Sequence, residues 1–332
     1  MDAVKRVLAV GDVNLDLLLT GLDRLPAAEE ESLARGLEFL VGGQTATVAR
    51  ALARLGLAVR FAGRVGDDDY GRLALRELSA AHVDTGSLIV DPALRTGVTV
   101  VLSTGAERAY ATYAGSAAEA RHGDVTEDSL AWADHLHVGS YYLQAALRPQ
   151  LPELLREARR RGRSTSLDPG WDPSGRWGQE IRDLLPLVDL FLPNQAEATA
   201  ISGEQAPEKA LAALSALASP DAVVVVKMGA AGCLAGNRAE AWRCPAFRVN
   251  VVEVTSAGDV FGAGFLYGFL GGWNLPEAAR FASACGALAV QRPGSGGIVA
   301  GLRQVQEFLA SRQEEAVPIK LIQEADIESE PR

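Results

Sequence analysis

The chain of 332 residues has few cysteines and an excess of acidic residues, and each of these features excludes certain classes of protein. The three cysteines, Cys233, Cys244 and Cys285, are scattered and show no CxxC spacing. This pattern argues against a disulfide framework and a zinc site, and it favours a reducing compartment such as the cytoplasm. The formal net charge of −10 argues against nucleic acid as a partner, because its phosphate backbone attracts basic proteins.

Long apolar runs and several widespread catalytic motifs are also missing. The most membrane-like stretch, Val260–Leu270, is too short to cross a bilayer, and the N-terminus lacks the pattern of a secretory signal. The sequence contains no GxxxxGK[ST] P-loop, no GxGxxG after a strand, no HExxH and no GxSxG. We therefore expect no membrane association and none of the enzyme classes that these motifs mark.

The chain does contain a regular alternation of short apolar runs and helical stretches. Uniformly apolar runs of about four residues are typical of strands buried on both faces of a parallel sheet. The alternation predicts a Rossmann-like, doubly wound α/β fold around a mostly parallel sheet. The predicted strands are Val7–Val10, Ala58–Ala62, His135–Val138, Ser164–Leu167, Leu190–Leu192 and Val223–Val226; the predicted helices are Gln44–Leu55, Tyr70–Ala81, Leu151–Arg161 and Leu211–Leu217.

Two separated pieces of chain, at about residues 13–40 and 96–114, interrupt this alternation. Leu15–Leu19 with Glu30–Leu40, and Gly97–Ser103 with Arg108–Tyr113, have the pattern of hairpin strands. They predict a small β-sheet that projects from the main domain and acts as a lid over a cleft. We expect the main domain to span residues 1–312 and the charged C-terminal tail, 313–332, to lie outside it.

The most informative segment is Glu253–Asp259, which precedes an apolar helix. The N-terminus of a helix offers unpaired N–H groups and a positive dipole, and the small residues Ser256, Ala257 and Gly258 would let a phosphate approach them. Asp259 would lie in the first turn, where a carboxylate can accept the proton of an alcohol that attacks a phosphoryl group. The structural alternative is an Asp that caps the helix and glycines that allow close packing.

Polar residues also follow the first predicted strand, at the end where open α/β sheets bind ligands. Asn14 and Asp16 share a face of an extended chain, which suits a ligand rich in hydroxyl groups. Gly42 and Gly43 precede a helix and can turn backbone N–H groups toward a ligand. A turn with Asx hydrogen bonds, or a turn that needs positive φ, explains the same residues without a ligand.

Two further segments follow predicted strands. In Pro193–Glu197, the three-residue spacing places Asn194 and Glu197 on one side of a helix start, where they can orient Mg²⁺ through water or form a capping box. In Lys227–Gly232, a turn that contains glycine can flank a nucleotide or be an ordinary β-turn.

These segments occur in a fixed order, and in that order the chain resembles the ribokinase (pfkB) family of carbohydrate kinases from about residue 5 to about residue 312. The resemblance implies ATP-dependent phosphorylation of an alcohol group on a sugar, a Rossmann-like domain with a β lid, and a homodimer formed through the lid. The likeness rests on GDVNLD at 11–16, Gly42-Gly43, GRVGDD at 63–68, PNxxE at 193–197, KMGxxG at 227–232, TSAGD at 255–259 and Gln291–Gly294.

The resemblance also implies a role for each candidate residue. The catalytic base is Asp259, and the anion hole is Ser256, Ala257 and Gly258. The sugar site comprises Asn14, Asp16, Gly42, Gly43 and Thr47, and the nucleotide site comprises Asn194, Lys227, Gly229, Gly232 and Ser283. Glu197 holds Mg²⁺ through water, and Glu253 and Thr255 hold a monovalent cation, K⁺.

The chain departs from the family pattern at three of these positions. Glu253 replaces an Asp that is linked to the monovalent cation site in many members. Thr47 stands where an Asn commonly contacts the substrate, and Ser283 where an Asn often lies near adenine. The resemblance therefore predicts the reaction class more firmly than the substrate.

Two other functions remain open at this point. The first is a nucleoside kinase of the same fold, in which Tyr110, Tyr113, Tyr141 and Tyr142 would supply apolar surface beside the base. The second is a catalytically silent protein that binds a sugar or a nucleotide and acts as a regulator.

Overall fold

The computed structural model describes residues 4–104, 107–291, 300–312 and 316–321. Within them a ten-stranded sheet forms the centre of the main domain, and a separate four-stranded sheet forms the lid. The strands are β1 (Arg6–Val10), β2 (Asn14–Thr20), β3 (Gly36–Gly42), β4 (Ala58–Gly66), β5 (Val83–Asp91), β6 (Gly97–Ser103), β7 (Arg108–Tyr113), β8 (His135–Val138), β9 (Ser164–Leu167), β10 (Leu190–Phe191), β11 (Val223–Lys227), β12 (Cys233–Gly236), β13 (Ala241–Cys244) and β14 (Ile319–Leu321). The α-helices are α1 (Gln44–Arg54), α2 (Asp69–Ala80), α3 (Glu127–Trp132), α4 (Leu151–Arg160), α5 (Gln179–Leu184), α6 (Gln195–Ser202), α7 (Pro207–Leu217), α8 (Ala257–Leu270), α9 (Leu275–Ala289) and α10 (Leu302–Ser311).

The large sheet is mostly parallel, as predicted. Its order is β14-β13-β12-β11-β10-β9-β8-β1-β4-β5, and the seven strands from β11 to β5 run parallel. The three strands at the other edge are antiparallel. The chain winds outward from β1 in one direction through β4 and in the other through β8, so a crevice opens at the carboxyl ends of β1 and β8.

Helices cover both faces of this sheet, which is why its strands are so uniformly apolar. In β1, Val7 and Ala9 belong to a core shared with α1, α8 and α9, while Leu8 and Val10 belong to a core shared with α4, α6 and α7. All four side chains are buried. Alternate residues of one strand therefore contribute to the cores on opposite faces of the sheet, which confirms the predicted doubly wound α/β fold.

The small sheet has the order β3-β2-β6-β7 and is built from the two predicted pieces of chain. Because directly paired residues share a face, the register puts Asn14, Asp16, Thr99, Tyr110 and Arg108 on one side of the lid. We call this side the inner face, since Arg108 on it contacts the loop before α8. The outer face is apolar and carries Leu17, Leu37, Phe39, Val98, Val100 and Ala111.

Several predicted boundaries are wrong. Strand β4 continues to Gly66, beyond the predicted end at Ala62, and β3 begins at Gly36 rather than at Glu30. Strands β5, β12, β13 and β14 were missed, since their short or partly polar sequences lack the apolar signature of a central parallel strand. The main sheet also extends beyond residue 312, because β14 pairs with β13.

Among the helices in the described ranges, none combines the length and the apolar character needed to cross a membrane.

Candidate active site

Asp12 follows β1 at the crevice, and its side chain caps helix α1, which begins 32 residues later in the chain. Helix α1 begins after Gly43, which has no side chain to satisfy the first N–H groups. The buried carboxylate of Asp12 accepts them instead, from Gln44 N at 3.0 Å and from Thr45 N at 2.9 Å. Gly43 has a φ of 95°, and a Cβ there would lie 2.8 Å from the Asp12 carbonyl oxygen. The glycine pair therefore allows the close approach of β1 and α1 that forms the crevice.

The lid contributes a polar cluster beside this crevice. Asn14 Nδ2 donates to Asp16 Oδ1 at 2.8 Å and to Thr99 Oγ1 at 2.9 Å. Gly42 pairs with Asn14 across the sheet, and a Cβ on it would overlap the Asp16 carboxylate. Burial, followed by the charge of Asp12, raises the pKa of Asp16 to about 7. The structure thus brings four of the predicted sugar-site residues together.

Thr47, the fifth predicted sugar-site residue, lies one turn after Gly43 in α1. Its side chain is buried, and its Oγ1 has no hydrogen-bond partner within the part of the chain that the structure describes. Gln44 and Thr47 are three residues apart and so share one side of α1. A buried hydroxyl without a partner is rare in folded proteins, and a bound ligand is one way to satisfy it.

The N-terminus of α8 is open in front of Gly258. Ser256 precedes the helix with a left-handed φ of 60°, and Gly258 is exposed. A Cβ on Gly258 would meet nothing within 4 Å, whereas one on Gly264 would meet Cys285 Sγ at 2.8 Å. The packing role that the sequence left open therefore applies to Gly264, where α8 contacts α9, and leaves Gly258 without a packing partner.

Asp259 lies in the first turn of α8 and is half-buried. Burial is the main reason that its pKa is raised well above the ordinary value, and the charges of Asp168 and Asp12 act in the same direction. The ammonium of Lys227 and the side chain of Gln44 lower it. A carboxyl group that is held partly against ionisation accepts a proton readily, as a general base must.

Lys227 is the cation of this site. Its Nζ lies 2.6 Å from Asp168 Oδ2, and Gln44 Nε2 donates to the other oxygen of Asp168 at 2.9 Å. Burial alone would lower the pKa of Lys227, but Asp168, Glu197 and Asp259 outweigh it and raise that pKa. Lys227 therefore lies among three carboxyl groups and not on an open nucleotide surface.

Asn194 and Glu197 form the capping box that the sequence allowed. Glu197 N donates to Asn194 Oδ1 at 3.0 Å, and Asn194 N donates to Glu197 Oε2 at 2.8 Å. A bridge between Asn194 and Lys227 holds this helix start beside the end of β11. Burial and the nearby Asp168 raise the pKa of Glu197 to about 7.

The other predicted nucleotide residues lie apart from this cluster. Gly229 is in an exposed turn with a φ of 56°. Gly232 is buried, and a Cβ on it would overlap the carbonyl oxygen of Cys244, which gives it a structural reason to be glycine. Ser283 is buried in α9, with its Oγ 3.6 Å from Cys244 Sγ.

The residues predicted to hold a monovalent cation contact an arginine instead. Arg108 of the lid donates to Glu253 Oε1 at 2.5 Å and to Thr255 Oγ1 at 3.2 Å. The motif residues Arg292, Pro293 and Gly294 lie outside the described residues.

Comparison with known proteins decides the class of this site. The sequence model of the pfkB family of carbohydrate kinases matches residues 4–299. The chain belongs to the pfkB family of carbohydrate kinases. This membership confirms the predicted resemblance and the predicted enzyme class, a phosphotransferase that acts on carbohydrates.

Individual relatives of this pfkB kinase agree with that assignment. It is 31% identical to an ATP-dependent ribose-1-phosphate kinase from Halopiger xanaduensis, over 87% of this chain and 93% of the relative. It is 32% identical to a fructokinase from Klebsiella pneumoniae, over 87% and 94% of the two chains. A solved fructokinase with bound ATP from Xylella fastidiosa superposes with a TM-score of 0.79 at 25% identity, over 94% of this chain and all of that one.

Four residues of the pfkB kinase site were not predicted from the sequence: Asp12, Gln44, Asp168 and Arg108. Asp12 and Gln44 lie within or next to motifs that were noted, and Asp168 directly follows β9, at the same edge of the sheet. That shared edge was a usable signal. Arg108 gave none, because its partner Glu253 is 145 residues away in the chain.

Proposed function

We propose that this pfkB kinase transfers the γ-phosphoryl group of ATP to a hydroxyl group of a sugar bound between the inner face of the lid and the carboxyl edge of the main sheet. The observation that carries the proposal is the position of Asp259 beside the open N-terminus of α8. A proton acceptor and a set of backbone N–H groups lie next to each other there, as in-line phosphoryl transfer requires.

In the proposed reaction, Asp259 accepts the proton of the sugar hydroxyl while its oxygen attacks the γ-phosphorus. The bond from the γ-phosphorus to the β–γ bridging oxygen breaks, and ADP leaves. The N–H groups of Ser256, Ala257 and Gly258 stabilise the charge on the transferred group. The N–H of Ala257 donates to the Val254 carbonyl oxygen at 3.2 Å, so it would exchange that partner for the phosphoryl group.

The sugar is proposed to bind Asn14 and Asp16 of the lid, beside Gly42 and Gly43. Asp16 accepts hydrogen bonds from sugar hydroxyls, and Thr47 offers its unpartnered hydroxyl from α1. Asn14 is already oriented by Asp16 and Thr99, which reduces the entropy lost when a sugar binds. Closure of the lid over the sugar would exclude water and so limit the hydrolysis of ATP.

The nucleotide is proposed to lie beside the Lys227–Gly232 turn. Lys227 forms a bridge with Asn194 and interacts electrostatically with Asp259 of α8, so we place the phosphates near these residues. The exposed turn at Gly229 would border the rest of the nucleotide. Gly232 and Ser283 are buried against Cys244 and would not touch the nucleotide directly. We propose that they support the turn on which the nucleotide lies.

Mg²⁺ is proposed to arrive with ATP. Among the described residues, no three His, Cys, Asp or Glu side chains are arranged so that they could hold a metal ion. Mg²⁺ commonly binds through phosphates, waters and one or two carboxylates. Both oxygens of Glu197 accept from Asn194, so Glu197 would reach the ion through water. When bound, Mg²⁺ supplies charge neutralisation on the phosphates.

K⁺ does not fit the atoms expected to bind it. Glu253 Oε1 and Thr255 Oγ1 both contact the guanidinium of Arg108, which already provides a positive charge at that place. We therefore derive no step that uses K⁺.

A homodimer through the lid is proposed from its outer face. Leu37, Phe39 and Tyr113 are each more than half exposed and lie on one apolar side of the small sheet. Apolar patches of this kind on a soluble protein mark interaction surfaces, and two such sheets can pack face to face. Phe39→Asp should yield a monomer in light scattering, while Leu217→Asp on α7 should leave the dimer intact.

A cytoplasmic location is proposed because all three cysteines are free and buried, and because ATP is a cytoplasmic substrate.

The nucleoside alternative loses most of its proposed surface. Tyr141 and Tyr142 are buried in an aromatic cluster with Trp177, and Tyr113 lies on the outer face of the lid. Tyr110 alone among the four tyrosines named is exposed on the inner face.

A substrate panel tests the proposed function. ATP consumption by the full chain with Mg²⁺ is measured with ribose, fructose, 2-dehydro-3-deoxygluconate, ribose 1-phosphate, adenosine and cytidine. Turnover with a sugar supports the proposal. Turnover with nucleosides alone would establish the nucleoside kinase, and ligand binding without any turnover would establish the silent regulator.

A further inference from the structure

The lid and the anion-hole loop are joined by a buried ion pair. Arg108 opens β7 on the inner face of the lid, and Glu253 lies in the loop before α8. Their side chains are 17% and 9% exposed, and Arg108 donates to Glu253 Oε1 at 2.5 Å. A second nitrogen of the same guanidinium donates to Thr255 Oγ1 at 3.2 Å. Shielding from solvent makes such a pair stronger than a surface salt bridge.

The same carboxylate oxygen shapes the loop that leads into α8. Glu253 Oε1 also accepts from Val254 N at 2.8 Å, from Thr255 N at 2.9 Å and from Thr255 Oγ1 at 2.8 Å. The Val254 carbonyl oxygen in turn accepts from Ala257 N at 3.2 Å. A continuous chain of hydrogen bonds therefore runs from the lid through Glu253 to the first residue of α8.

This arrangement needs a positive partner. Burial raises the free energy of an ionised carboxylate, and a charged guanidinium compensates for that cost. The donors from Thr255 and Arg108 outweigh the effect of burial, so the pKa of Glu253 is lowered below its ordinary value. If Arg108 were removed, the remaining hydrogen-bond donors to Glu253 among those described above would be the uncharged groups of Val254 and Thr255.

We propose that Arg108 is a positioning residue that couples the lid to the anion hole. By engaging Glu253 and Thr255, it holds the 253–256 loop in the conformation that aims the N–H groups of residues 256–258 at the transferred phosphoryl group. This inference rests on the proposed function, because it assigns Arg108 to the same reaction. It also identifies the guanidinium group of Arg108, on the lid, as the cation that binds Glu253 and Thr255.

The kinetic consequence is specific. The anion hole stabilises charge that develops in the transition state, so disorder in its loop lowers kcat more than it raises KM. Removing one comparable donor outright costs about 10²–10³ in kcat, and loss of the positioning residue should cost about 10- to 100-fold. Arg108→Ala should show this fall at saturating sugar and ATP, with KM for ATP changed by less than about threefold.

Chemical rescue separates positioning from a general structural role. Guanidinium ion at millimolar concentration should restore part of the kcat of Arg108→Ala, because it can occupy the space beside Glu253. It should not restore Arg108→Ala combined with Glu253→Gln. Arg108→Lys should retain intermediate activity. The matched control is Arg35→Ala, which removes another lid arginine whose ion pair with Asp23 is exposed, and it should keep kcat within about twofold.

A measurement that needs no activity keeps the inference testable on its own. Hydrogen exchange of the amides at 253–258 should be faster in Arg108→Ala than in the wild type and in Arg35→Ala, and guanidinium should slow it. Wild-type exchange and wild-type kcat in Arg108→Ala would overturn the coupling. If the wild-type chain phosphorylates no sugar, the proposed function fails, and the exchange result still decides whether Arg108 holds the loop.

Discussion

Lys227 Nζ lies 2.6 Å from Asp168 Oδ2 at the bottom of the crevice, and the Asp168 side chain is fully buried. The pair belongs to a cluster that also includes Glu197 and Asp259, so one ammonium offsets several carboxyl groups. This imbalance makes Lys227 important both for the stability of the chain and for the proton affinity of the proposed base.

Replacement of Lys227 by Met should shift the pH dependence of the kinase. Asp259 must be ionised to accept a proton, so activity is lost as pH falls through its pKa. That pKa is already raised, and Lys227 lowers it, so its removal raises the pKa further. The acid limb of kcat/KM should therefore move to higher pH than in the wild type.

Lys227→Met should also destabilise the fold by about 3 kcal/mol, since it leaves Asp168 buried without its ammonium. Urea unfolding measures this change. Lys209→Met, which removes an exposed lysine of α7, is the matched control and should change neither property. An unshifted acid limb would remove Lys227 from its role beside Asp259.

Replacement of Asp16 by Asn should weaken sugar binding and remove its pH dependence. The pKa of Asp16 is raised to about 7, so its ionised fraction rises as pH increases through neutrality. The ionised form accepts hydrogen bonds from hydroxyls more strongly, so KM for the sugar should fall from pH 6 to pH 8 in the wild type. Asp16→Asn should raise KM about tenfold or more and flatten this profile. An Asp16→Asn enzyme with the wild-type KM would show that the sugar binds elsewhere.

Replacement of Gly43 by Ala should cost more stability than the same change at Gly56. Both glycines have a positive φ, of 95° and 98°, so an alanine is strained at both positions. A Cβ at Gly56 meets nothing within 4 Å, whereas one at Gly43 would lie 2.8 Å from the Asp12 carbonyl oxygen. The larger loss expected for Gly43→Ala in urea unfolding therefore combines its backbone strain with the crowding against the Asp12 carbonyl oxygen. Equal losses would mean that the crevice tolerates a side chain there.

The sequence predicted the parts of the fold that local patterns determine. Val223–Val226 and Val7–Val10 are buried in the centre of the sheet, and their apolar runs identified them. The edge strand Val83–Asp91 has polar residues or glycine at positions 84–87 and was missed, because an edge strand need not be apolar on both faces. Whether such a segment forms a strand depends on its hydrogen bonds to a neighbouring strand, and a local sequence pattern does not reveal that neighbour.

The same limit applies to the site. Asn14 and Asp16 were found because they share a face within one strand, and the structure places them together. The sequence predicts Lys227 beside a nucleotide, but it does not predict the ion pair of Lys227 with Asp168, 59 residues earlier in the chain. Glu253 was expected to face a cation, and the cation is a guanidinium from the lid. In each case the partner comes from a distant segment that only the fold brings near.

The central claim is tested most directly by sugar-dependent ADP formation in the wild type and in Asp259→Asn, with ATP binding measured in both by calorimetry. Loss of the proton acceptor should lower kcat about 10²–10⁴-fold and leave the affinity for ATP within about threefold. Asp221→Asn, at an exposed position, is the control and should behave as the wild type. Undiminished turnover in Asp259→Asn would contradict the account.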